Sequence, residues 1–120
     1  MPLAVRGIMT IYVLFSDPIH DYCVAESLQF GMHVERVAGG GDHGAQTSSI
    51  VFTKKKDSLS HDLFVATTQG GLFDNIDIEY WQGYACTFVY RLTGATITKA
   101  SSSWGHESYT LEYENIRMER

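Results

Sequence analysis

The sequence predicts a mostly-β fold, a small antiparallel β-barrel of two packed sheets with one short α-helix on its side. Three observations carry that expectation. Apolar residues alternate with period two in several runs, which sends successive side chains to opposite faces of a sheet. The composition is strand-like, with 7 Tyr, 6 Phe and 2 Trp among many Val, Ile and Thr. Only two prolines occur, Pro2 and Pro18, and both fall outside the alternating runs. Closure into a barrel is expected because it removes the unpaired edges that such strands would expose.

Residues 8–15 are almost continuously apolar, interrupted only by Thr10, and read as a buried strand. Leu28, Phe30, Met32 and Val34 alternate with Gln29, His33 and Glu35 on the other face. The run Gly39-Gly40-Gly41-Asp42-His43-Gly44 reads as a flexible loop. Residues 47–54 resume as strand, and Lys54-Lys55-Lys56 reads as a solvated turn. Leu59, Leu63 and Ala66 then fall at i, i+4 and i+7, a single helical stripe. Asp57 or Ser58 is placed to cap that helix by accepting a backbone N–H, and Gly70-Gly71 supplies a left-handed stop. The helix is therefore expected over residues 58–69.

Ile76, Ile78 and Tyr80 share a face against Asp77 and Glu79. Gln82-Gly83 reads as a tight hairpin turn into Tyr84, Cys86, Phe88, Tyr90 and Leu92. A second turn is expected near Thr93-Gly94, a short strand over 95–100, and a turn through Ser101-Ser102-Ser103-Trp104-Gly105. The last strand spans about 107–118. Tyr109, Leu111 and Tyr113 share a face there, but Ile116 and Met118 have the opposite parity. A bulge near Glu114-Asn115 would return them to the core. Without one, the strand end is buried on both sides or sits at an interface.

A chain of 120 residues is read as one domain, 1–120. Its net charge of −5 argues against a nucleic-acid partner, which needs a basic face. No apolar stretch approaches the ~20 residues of a membrane span, so no membrane insertion is expected. The run at 8–15 lacks the basic flank and cleavage site of a secretory signal. Two cysteines, Cys23 and Cys86, make neither a disulfide framework nor a four-ligand metal set, and cytoplasmic synthesis with reduced thiols is expected.

Catalytic readings find little support. Gly39 to Gly44 matches G-x-G-x-x-G, but the dinucleotide fingerprint needs a helix directly after it, and a strand follows here. His20 and Cys23, with Asp17 nearby, fall short of a zinc set. Cys86, on the apolar face of an alternating strand, reads as a buried structural thiol. No H-x-H, H-E-x-x-H or G-x-S-x-G spacing occurs. Asp77 and Glu79 read as the wet face of a half-buried sheet. No catalytic residue, cofactor or metal is expected. Two binding readings remain: a barrel that encloses a small apolar ligand, and a barrel filled by its own aromatics whose outer faces contact other chains. Trp81, Val89 and Trp104 suit such contacts.

One stretch is more specific. Thr47 through Phe52-Thr53-Lys54 to Asp57-Ser58 resembles the strand-to-helix passage of the Hcp proteins (haemolysin co-regulated protein), the tube subunits of bacterial type VI secretion. The helix that follows, Gly70-Gly71 and residues 75–81 keep that family's order and spacing. Residues 92–102 resemble its penultimate strand and serine-rich turn, residues 107–116 its closing strand, and residues 25–32 the strand before its long loop. The resemblance covers about residues 24–118. The chain is shorter than usual members, the loop at 39–46 is trimmed, and Asp17-Pro18 stands where a Gly-rich turn is expected.

The resemblance implies a non-enzymatic structural protein. Six copies would form a ring with a central channel, and rings would stack into a tube expelled by a contractile sheath. The implied partners are itself, the sheath or baseplate, and effector proteins carried in the lumen. Export would proceed from the bacterial cytoplasm through the apparatus without a signal peptide. Gly39, Gly40, Gly41, Asp42 and His43 would make ring–ring contacts and become ordered on stacking. An adaptor of the tail-tube type that does not polymerise is the second implied form.

Overall fold

The computed structural model describes residues 9–34 and 46–119. They form β1 (Met9–Phe15), β2 (Asp21–Ala25), β3 (Ser27–Val34), β4 (Gln46–Lys55), α1 (Ser60–Gln69), β5 (Leu72–Gln82), β6 (Ala85–Ser103), β7 (His106–Glu112) and β8 (Asn115–Glu119). The strands make one antiparallel sheet in the order β2-β1-β5-β6-β7-β4-β3, with β8 paired beside β6. Its two ends, β2 and β3, are consecutive stretches of one run, separated by Glu26. The Glu26 N–H donates across to the Thr53 carbonyl at 2.6 Å. Among the described residues no ladder joins β2 to β3, so the barrel-like sheet meets at a seam made by the chain itself.

The parity read from the sequence builds the core. Val13 and Phe15 of β1, Ile50 and Phe52 of β4, Ile76 and Ile78 of β5, and Tyr109 and Leu111 of β7 all point inward and are buried. The helical stripe completes it, with Leu59, Leu63 and Ala66 buried against the same core. α1 starts at Ser60 rather than residue 58, with Leu59 at its N-cap and no side-chain cap, and Asp57 instead orders the preceding turn: its Oδ1 accepts the Leu59 N–H at 2.9 Å, while Ser60 Oγ accepts the Asp57 N–H at 3.0 Å. Gly70 ends α1 in the left-handed region, at φ 66°.

Several expectations change, among them Ser101 to Ser103, expected in a turn, which belong to β6. Lys54 is fully buried rather than part of a solvated turn, because it shares the inward parity of Ile50 and Phe52. Cys86 is exposed and Cys23 is the buried thiol. The register between β5 and β6 shifts after Tyr80, so that Tyr80 faces Phe88 but Trp81 faces Cys86. The extra residue, Thr87, reverses the parity beyond it and turns Cys86 outward.

The turn expected at Thr93-Gly94 is absent, and β6 runs through it as one strand of 19 residues. Gly94, at φ 61°, bends the strand so that Leu92 and Ala95 both face inward. The last strand does not return Ile116 and Met118 to the core. It breaks at Tyr113-Glu114, and β8 pairs with residues Val89 to Thr93 of β6. Ile116 and Met118 stay 40% and 59% exposed.

Candidate functional site

Two features could serve function: a charged cluster inside the barrel and an apolar outer surface. The cluster is set by three elements. β4 turns Lys54 inward, β7 brings Glu107 and Tyr109, and the first turn of α1 brings Ser60. Lys54 Nζ lies 3.0 Å from Glu107 Oε1 and 2.8 Å from Asp57 Oδ1, and it donates to Ser60 Oγ at 3.2 Å and to the Lys55 carbonyl at 3.0 Å. Ser60 Oγ and Tyr109 OH both donate to Glu107 Oε1, at 2.8 and 2.7 Å.

Burial works against both charges, but their partners outweigh it. The hydrogen bonds from Tyr109, Ser60 and Lys54 hold Glu107 below the ordinary glutamate range. Those to Asp57 and Glu107 hold Lys54 above the ordinary lysine range. Burial, then hydrogen bonding to Glu107, pushes the Tyr109 phenol up. Burial also pushes the Cys23 thiol up to about 12. The Lys54 and Glu107 side chains are both 0% exposed, so the pair itself is closed to a substrate and ties β4, α1 and β7 together, and only Asp57, 43% exposed, reaches the surface. Among the described residues, no group of three or more His, Cys, Asp or Glu is placed to hold a metal ion.

The outer surface is where contacts are available. Tyr12 and Leu14 of β1, Tyr22 and Val24 of β2, and Trp81 of β5 lie on the face opposite Val13, Cys23 and Ile78. Register brings Tyr12 beside Val24 and Leu14 beside Tyr22. The Tyr12 ring meets the edges of Tyr22 and Trp81 at centroid distances of 5.7 and 6.3 Å. Tyr12, Leu14, Tyr22, Glu79 and Trp81 line a surface groove of about 290 Å³. A larger one, about 620 Å³, runs between β2 and the β4–α1 connection.

Among the contact residues expected from the sequence, Trp81 is partly buried, its indole N–H donating to Glu79 Oε1 at 3.0 Å. Val89 is partly buried between Glu79 of β5 and Glu119 of β8. Trp104 is 95% exposed. The structure does not bring the three together: Trp81 and Val89 sit toward one end of β6, and Trp104 follows its other end. Gly39, Gly40, Gly41, Asp42 and His43 lie outside the described residues. Sequence reasoning missed Tyr12, Leu14, Tyr22 and Val24. For Tyr12 and Leu14 the available signal was the nearly continuous apolar run at 8–15, half of which an antiparallel sheet must turn outward, whereas Tyr22 and Val24 lie outside that run.

A family profile described as "Type VI secretion system effector, Hcp" matches residues 19–119. Among solved structures, Hcp1 from Salmonella typhimurium superposes with a TM-score of 0.73 at 18% identity, over 92% of this chain and 85% of that one. Hcp3 from Pseudomonas aeruginosa, a secreted protein, gives 0.66 at 16% identity, over 91% and 89%. The sheath–tube complex of an extracellular contractile injection system contains a chain that gives 0.57 at 14% identity, over 91% and 87%. No curated protein sequence matches.

Proposed function

The chain belongs to the Hcp family of type VI secretion, and we propose that it is a tube subunit whose copies close into a hexameric ring around a channel able to carry effector proteins. The role is structural, with no catalytic step. The observation that carries this reading is the family match over residues 19–119. The packing supports it over a ligand carrier. Phe15, Phe52, Phe73 and Tyr109 fill the interior, while the apolar groups left to bind something face outward. Trp81, Val89 and Trp104 are proposed inter-subunit contacts, joined by Tyr12, Tyr22 and Val24. Gly39, Gly40, Gly41, Asp42 and His43 are proposed ring–ring contacts.

Synthesis in the bacterial cytoplasm, export through the apparatus, and contact with sheath or baseplate complete the proposal. Among the described residues no helix is long and apolar enough to cross a membrane. The test is the solution mass by light scattering on a sizing column. Six copies of 13.5 kDa give about 81 kDa, the expected result. A monodisperse 13.5 kDa species at high concentration would overturn the ring and favour a non-polymerising adaptor.

A further inference from the structure

The inward parity of the core continues past its last buried layer. Tyr80 stands opposite Ile11 of β1 and Phe88 of β6, and Met118 of β8 stands opposite Tyr90. Phe30 of β3 joins them from three strands away, its ring 5.0 Å from that of Tyr90. Tyr90 meets Phe88 at 5.4 Å, and Phe88 stacks on Tyr80 at 4.5 Å. Their cover is incomplete. Phe30 is 43% exposed, Met118 59%, and Met9, on the parity of Ile11, 49%. A contiguous apolar rim of this kind marks a contact surface.

Two stretches of chain leave the sheet at this end. Residues 35–45 join Val34 to Gln46, which face each other in the β3–β4 ladder. They carry Glu35, Arg36, Asp42 and His43 with four glycines, a composition unsuited to covering aromatic rings. Residues 1–8 lead into β1 at Met9, itself on the rim, and are of the opposite kind. Met1, Leu3, Ala4, Val5 and Ile8 are apolar, and Arg6 is the one charged side chain. Their length suffices. Met118 lies three strands from β1, about 14 Å at the spacing of a sheet, while eight residues span up to about 26 Å.

We infer that residues 1–8 fold back as an arm over the rim that Phe30, Tyr80, Phe88, Tyr90 and Met118 form in the same chain. The chain reverses at Gly7, which has the backbone freedom for it, and lays Leu3 and Val5 on the rings. The protein thereby covers its own open end. The contact is made within one copy, so it stands or falls separately from the hexameric ring.

The test is cross-linking of the full chain in a Cys86→Ser background, where the remaining thiol, Cys23, is buried. Leu3→Cys is combined with Met118→Cys, and a short bis-maleimide is added to the native protein, with circular dichroism to verify folding. The expected product is one linker joining positions 3 and 118 within a single chain, read by mass spectrometry of the intact and digested protein. Phe88→Cys replaces Met118→Cys should that variant not fold. Leu3→Cys with Trp104→Cys, beyond the far end of β6, is expected to give two separate adducts. Separate adducts at positions 3 and 118 overturn the inference. A linker joining two chains also overturns it and identifies the occupant as the arm of a second copy. A second readout needs no new thiol. Leu3→Asp combined with Val5→Asp is expected to raise the emission of added anilinonaphthalene sulfonate several-fold, and unchanged emission overturns the inference.

Discussion

At the scale of residues, the decisive feature is a lysine that looks superficial in sequence and is buried in the fold. Removing one partner of a buried pair strands the other charge, at a cost of about 3–5 kcal/mol. Lys54→Met is therefore expected to lose stability of that order in urea unfolding, and adding Glu107→Gln is expected to recover much of it. The pair also fixes how stability varies with pH. Glu107 is held below its unfolded value of about 4.3, so its contribution is complete above that pH and disappears as pH falls through the folded value. Lys54 is held above about 10.4, so its contribution is complete below that pH and disappears as pH rises. Melting temperature against pH is expected to decline on both flanks, with the acid flank flattened in Glu107→Gln. The thiols differ in a matching way. A maleimide at neutral pH is expected to add once per native chain, at exposed Cys86, and twice in denaturant. Cys23 is buried and its thiol lies near 12.

At the scale of elements, two glycines with similar backbones have different neighbours. Gly70 has φ 66° and open space around an added Cβ, so Gly70→Ala is expected to cost only the strain, about 1–2 kcal/mol. Gly94 has φ 61°, and an added Cβ would come within 2.6 Å of the Glu114 side chain, which crosses it on the way to β8. Gly94→Ala is expected to cost more than Gly70→Ala in thermal unfolding, and Glu114→Ala is expected to narrow the gap. The helix was legible because a 3.6-residue stripe and a glycine stop agree locally, while its start at Ser60, two residues later than expected, was not. The long β6 was not, since Thr93-Gly94 satisfies turn chemistry equally well. Only pairing with β5 on one side, and with β8 and then β7 on the other, makes it a continuous strand.

At the scale of the whole molecule, the apolar groups divide into those that fill the barrel and those left over. Ile116 and Met118 on β8 and the Tyr12–Tyr22–Trp81 cluster belong to the second set, and such residues mark interaction surfaces when they are contiguous. Assembly is expected to protect the aromatic cluster. Acrylamide quenching of tryptophan emission is expected to fall as concentration rises through ring formation, and unchanged quenching would place both indoles outside every contact. The candidate surface was half legible. Trp81, Val89 and Trp104 follow from exposed parity or turn position, but the β1–β2 face required knowing which strands lie side by side.

By itself the sequence determined strand and helix periodicity, inward parity over most of the core and the family resemblance, because each depends on spacing within a short window. Tertiary structure alone decided the burial of Lys54, the exposure of Cys86, the passage of β6 through Gly94 and the placement of β8. Each of those depends on a register or crossing between segments distant in the chain, and a one-residue offset there exchanges inside for outside.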